Sequence, residues 1–268
     1  MENLAELLLK LQYADMIVRR YESLMILGIV LFFITVGSLI SWISLGAFSR
    51  VFCLSLEGIV PPFVTFPAIL FSLTATLTAT ALWENYNVAI QAVQAESQGL
   101  ATIIDLVGAI PSLKESGLTA CAKQYAKSVV NDEWATLSSD RDPSPITKQY
   151  YGNLRQATYQ AVDSLGNNAE AKALMSAITT VSNGRMARLA SVTFDVQTDR
   201  WYAIFALGIL VQLAVAIVHL TKPKALITAM TIATVAVLVP ICTIALTTTG
   251  PFVGAIAVTY RPFLKFMK

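Results

Sequence analysis

Thr65, Ile69, Ser72, Thr76, Thr80, Glu84, Asn87, Gln91, Gln94 and Gln98 recur every three or four residues. On a helix turning about 100° per residue they fall within about a third of the circumference. The first half of this stripe is small and hydroxylated, and the second half carries a carboxylate and amides. A polar stripe facing lipid is costly, so these side chains must face protein or water. Copies arranged around an axis would line a wet path with them. Small and Thr residues also let membrane helices pack closely, which is a second reading of the hydroxyl part. Thr74, Thr78 and Glu96 fall on the opposite face, so polarity is not confined to one side.

The element that must position the stripe is the stretch 61–107. From Ala68 to Val107 it has no proline, and its one glycine, Gly99, costs only about 1 kcal/mol. The first part is uncharged and apolar; the second is polar, with no helix breaker between them. Forty helical residues span roughly 60 Å, about twice a bilayer core. The pattern therefore predicts one helix that crosses a membrane and continues into water.

Only 13% of the 268 residues are charged and 55% are hydrophobic, against about 25% charged in soluble domains. This is the composition of an integral membrane protein. Of the 36 Lys, Arg, Asp and Glu residues, 22 lie between Glu84 and Arg200, so membrane segments flank an insert of ordinary polarity. A net charge of +2 with no basic run argues against nucleic acid. His219 is the only histidine, and Cys53, Cys121 and Cys242 are widely spaced, so neither a metal site nor a cofactor is expected.

Four uncharged runs meet the membrane-length rule: 27 residues after Glu22, 26 after Glu57, 21 after Arg200 and 36 after Lys224. The predicted organisation is an amphipathic segment at 1–22, membrane helices 1 and 2 within 23–83, and a helical insert at 84–200. Membrane helices 3 and 4 follow within 201–246, then a segment at 247–268 too short to cross again. That last segment is expected at the interface or tucked against the bundle. An even number of spans puts both termini and the insert on one side. Near the span ends that side carries Lys10, Arg19, Arg20, Arg185, Arg188, Arg200, Arg261, Lys265 and Lys268, against Arg50, Lys222 and Lys224 opposite. The positive-inside rule then makes the insert cytoplasmic, and the free cysteines fit a reducing compartment.

Within the insert, Ser112-x-x-Glu115 is a capping-box candidate. Leu118, Ala122, Tyr125 and Val129 share a helix face, Ser144-Pro145 marks a helix start, and Gly166-Asn167-Asn168 marks a stop before a helix at about 169–189. Strand signals are nearly absent. The fold class is all-α, an integral membrane protein with four spans, a cytoplasmic helical bundle and a second span prolonged into the cytosol.

Trp83, Glu96, the run from Tyr125 to Val130-Asn131-Asp132-Glu133-Trp134, Arg185-x-x-Arg188-Leu189, Trp201 and Pro251-Phe252-x-Gly254 follow one another in an order and spacing that resembles the bestrophin-like family of bacterial membrane proteins. The resemblance covers about Tyr21 to Phe263. One departure is the absence, in SVTFDVQTDR, of a proline that family members often carry before the Trp of the third span. The resemblance implies a pentamer, with a tetramer as the alternative, in a bacterial inner membrane. It implies an ion channel whose second span lines the pore, with Phe63, Phe66 and Ile69 as an apolar constriction above Ser72, Thr76 and Thr80. The calcium clasp of animal bestrophins has no counterpart, because Asp132-Glu133 and Asp140-Arg141-Asp142 are the densest acidic clusters and read as loop or helix-end charges.

The resemblance leaves the sign of the ion open. The second span has no Lys or Arg, and Glu57 and Glu84 flank it; rings of carboxylates favour cations. Glu84 also reads as a boundary residue beside Trp83. Arg185 and Arg188 share a helix face and would hold lipid phosphates or pair with acids such as Glu84 or Glu96. The alternative to a channel is a non-conducting scaffold or sensor that binds a partner through the insert. A transporter would need interrupted spans or an inverted repeat, and neither is evident. No GxSxG, Walker or HExxH motif points to an enzyme.

Overall fold

A computed structural model describes residues 2–46, 62–139, 141–193, 198–220, 222–248, 250–253 and 257–267. Arg50, Cys53, Glu57, Asp140, Gly254 and Lys268, which figure in the sequence reading, lie outside the described residues. Among the described residues every regular element is helical: α1 (Glu2–Leu45), α2 (Pro62–Ala109), α3 (Leu118–Ser128), α4 (Trp134–Ser139), α5 (Pro145–Leu165), α6 (Ala169–Val192), α7 (Thr198–His219) and α8 (Pro223–Thr247). Short 3-10 turns at Pro111–Leu113 and Arg261–Phe266 and a π-turn at Val129–Glu133 complete them. Four of the helices are long and apolar enough to cross a membrane.

α2 is one helix of 48 residues. Pro62 occupies its first position, where the missing N–H would be unpaired anyway, and Pro67 forgoes one backbone bond early in the helix. Residues 2–22 and the first span form the single helix α1. The Ser112 capping box is not made. Pro111–Leu113 is a 3-10 turn, and α3 starts only after Gly117, whose φ of 70° suits a residue without Cβ. Ser144 does cap α5, accepting from the Thr147 N–H, and Asn168 caps α6 through the Ala171 N–H at 2.8 Å.

The chain divides into two compact units. One contains residues 20–83 and 195–249, the four apolar helices of membrane length. Its core is Ile29, Phe33, Phe71, Ala75, Leu82, Ile204, Val211, Val237, Ile241 and Ile244. Gln212 is fully buried there and donates to the Phe33 carbonyl (3.3 Å) and the Thr234 hydroxyl (3.0 Å), so a polar side chain ties three helices.

The other unit contains residues 84–194 together with 250–268, and 1–19. The second half of α2 packs there with α3 to α6 around Leu100, Ile103, Tyr125, Trp134, Leu154, Leu174 and Val181. The segment after α8 belongs to this core. Phe252, Tyr260 and Phe263 set their rings 5.2, 6.0 and 6.3 Å from Trp134, and Phe266 is buried. The Ser97 hydroxyl donates to the Pro262 carbonyl at 2.9 Å.

Candidate functional site

From Thr65 to Gln98, every member of the polar stripe on α2 is exposed in the single chain except the half-buried Asn87. Phe63 and Phe66 are exposed as well. The side of α2 that packs against its own subunit is the opposite one, formed by Phe71, Ala75, Thr78, Leu82, Ala89, Val93, Glu96, Leu100 and Ile103. Polar residues that fall off the stripe are satisfied internally. Thr78 is buried and donates to the Thr74 carbonyl at 2.8 Å; Thr74 donates to the Leu70 carbonyl at 2.8 Å. Close packing within the subunit therefore does not account for Thr65, Ser72, Thr76 and Thr80.

Glu96 anchors α2 from behind. Its carboxylate accepts from Arg188 Nε (2.7 Å) and Nη2 (3.0 Å) and from the Tyr125 hydroxyl. Glu133 takes Arg185 in a two-pronged pair (2.8 and 2.6 Å) and Arg188 Nη2 at 2.6 Å. Arg185 Nη1 lies 3.2 Å from the Tyr125 hydroxyl. Two arginines and two glutamates cancel, which lets the cluster sit away from water. Burial opposes the Arg188 charge, but Glu96 and Glu133 outweigh it and hold its proton more tightly than usual. Burial, reinforced by Glu96, pushes the Tyr125 hydroxyl well above the ordinary tyrosine range. The Trp134 ring lies 5.8 Å from the Arg188 guanidinium carbon, and that of Tyr151 5.3 Å from the Arg185 carbon.

The backbone makes this cluster possible in two places. A Cβ on Gly184 would stand 2.6 Å from the Glu96 nitrogen, so α6 rests on the α2 main chain where Arg185 and Arg188 must reach it. In the π-turn the Trp134 N–H reaches back to the Val129 carbonyl, adding one residue to the turn. Tyr125 and Glu133, eight apart, thereby behave as seven apart, about two full turns, and share a face.

Arg185 and Arg188 are thus spent on carboxylates inside the unit, and Arg188 is fully buried. Glu84 is exposed and is not their partner. Sequence reasoning placed Asp132-Glu133 at a helix end and missed the role of Glu133; the only pointer was Arg185-x-x-Arg188, two like charges on one helix face that need acids if they are buried.

The bestrophin-like domain profile matches residues 31–263. The chain belongs to the bestrophin-like family. Solved structures agree on the fold of this bestrophin-like chain. A bacterial bestrophin homologue from Klebsiella pneumoniae is 11% identical, with a TM-score of 0.61 over 89% of this chain and 98% of that one. A point variant of it gives 12% and 0.64 over 88% and 98%. A structure described as a membrane protein gives 11% and 0.65 over 89% and 98%. No curated protein matches the chain.

Proposed function

We propose that copies of this bestrophin-like chain surround a common axis, with the polar stripe of α2 turned inward, and conduct inorganic ions across a bacterial inner membrane. The exposure of Thr65, Ile69, Ser72, Thr76, Thr80, Glu84 and Gln91, opposite the side packed against the subunit, carries this reading. Phe63 and Phe66 stand at the outer end as the apolar narrowing, with Ile69 below them and Asn87 continuing the stripe toward the cytosol. Both termini and the insert are cytoplasmic, and the copy number is five, or four.

The field along the stripe favours cations. All 48 residues of α2 contain no Lys or Arg. Glu96 is neutralised by Arg188, while Glu84 and Asp105 remain exposed. Each copy then adds two carboxylates and no compensating positive group to the lining. The test is flux and reversal potential in liposomes holding purified protein under a salt gradient. The expected result is a cation-selective current that shifts toward anions when Glu84→Lys replaces the carboxylate. If the protein assembles but passes no ion at any voltage or pH, the non-conducting scaffold replaces this reading.

A further inference from the structure

We infer that the ring is closed by a ridge on α2 of one copy entering a groove between α2 and α8 of the next; this rests on the inward-facing stripe just proposed. The ridge is Leu70, Leu73 and Leu77, exposed by 51, 54 and 61%. It runs three and four residues apart along one edge of the polar stripe. The groove lies along the other edge. It has a volume of about 380 Å³ and is lined on α2 by Ala68, Ala75 and Ala79 together with Phe71, with Ala236, Pro240 and Thr243 on α8 and Val211 on α7. Ser72 and Thr76 belong both to the stripe and to the lip of this groove.

Geometry forces the pairing. A helix that turns its stripe toward an axis must present the two edges of that stripe to its two neighbours. One edge is bulky and the other is hollow, at the same depth of the same helix. Rotation about the axis therefore sets large residues against small ones, as helix packing in membranes requires. Such an interface is heterologous, and a rotation that closes makes a ring. The ridge supplies on the order of 300 Å² of apolar surface, at roughly 200 Å² for a large apolar side chain. A stable interface takes about 800 Å² from each partner, so the ridge supplies about four tenths of one side. Neither surface carries a charge that would have to be desolvated.

The experiment is cysteine cross-linking in native membranes, with Cys53, Cys121 and Cys242 replaced by Ser. Leu77 adjoins Thr76 and Leu70 adjoins Phe71 in the chain, and Thr76 and Phe71 line the same groove as Thr243 and Ala236. The double variants Leu77→Cys/Thr243→Cys and Leu70→Cys/Ala236→Cys are expected to give, on oxidation, a ladder ending at the full ring. Each single variant is expected to stay uncross-linked, because ridge meets groove and never itself. Dimers from Leu77→Cys alone would overturn the inference. So would the absence of any ladder in both double variants when the protein still elutes as an oligomer, with phospholipid filling the groove. A missing ladder with intact flux removes this interface and leaves conduction standing. A complete ladder without flux supports the interface and removes conduction.

Discussion

At the scale of single residues, the buried cluster of Glu96, Tyr125, Glu133, Arg185 and Arg188 is the part most sensitive to chemistry. Removing one partner of a buried ion pair strands the other. Arg188→Met is therefore expected to cost about 3–5 kcal/mol of stability, read from unfolding of the purified protein. Adding Glu96→Gln to it removes a stranded charge and is expected to cost less than the sum of the two single changes. Tyr125 adds a pH signature. In the unfolded chain its hydroxyl titrates near its ordinary value of about 10, while in the folded chain burial keeps the proton on to higher pH. Above the ordinary value the native state binds more protons than the unfolded one, so its contribution is complete below that value and is lost as pH rises. Tyr125→Phe is expected to flatten the alkaline limb of a stability–pH curve relative to the parent and leave the neutral region's shape unchanged.

At the scale of elements, two backbone devices can be tested. Gly184→Ala places a methyl against the α2 main chain, where nothing flexible can yield, and is expected to cost about 1–3 kcal/mol. The π-turn makes a sharper prediction. Deleting Asn131 restores a regular helix while leaving Tyr125 and Glu133 in phase, and it also removes the buried Asn131 Oδ1, which has no hydrogen-bond partner. Inserting one alanine after Asn131 instead swings Glu133 about 100° out of the cluster. The insertion is expected to lower the unfolding temperature well below that of the deletion.

At the scale of the whole molecule, the unit holding the insert is discontinuous in sequence. Phe263 is fully buried in its core, so Phe263→Ala is expected to cost about 3–5 kcal/mol although it lies far down the chain from the insert. A chain ended after Thr249 loses Phe252, Phe263 and Phe266 together. It is expected to be degraded or to unfold at markedly lower temperature, as measured by protease resistance of residues 84–194 in membranes.

The sequence by itself determined the all-helical class, the four helices of membrane length and the unbroken run of α2. Those features depend on local quantities: hydropathy over a span's length, helix period, and the absence of breakers between Ala68 and Val107. It also placed the polar stripe, because spacing alone sets which residues share a helix face. Tertiary structure decided the rest. It selected the stripe's exposed side by packing Phe71, Ala75 and Leu82 inward, and it turned Arg185 and Arg188 away from any lipid headgroup. It also drew Glu133 and Phe263 into a core assembled from distant segments. None of these outcomes has a local signature. A buried charge is tolerated only when its partners arrive together, and those partners stand 52 to 92 residues apart in the chain.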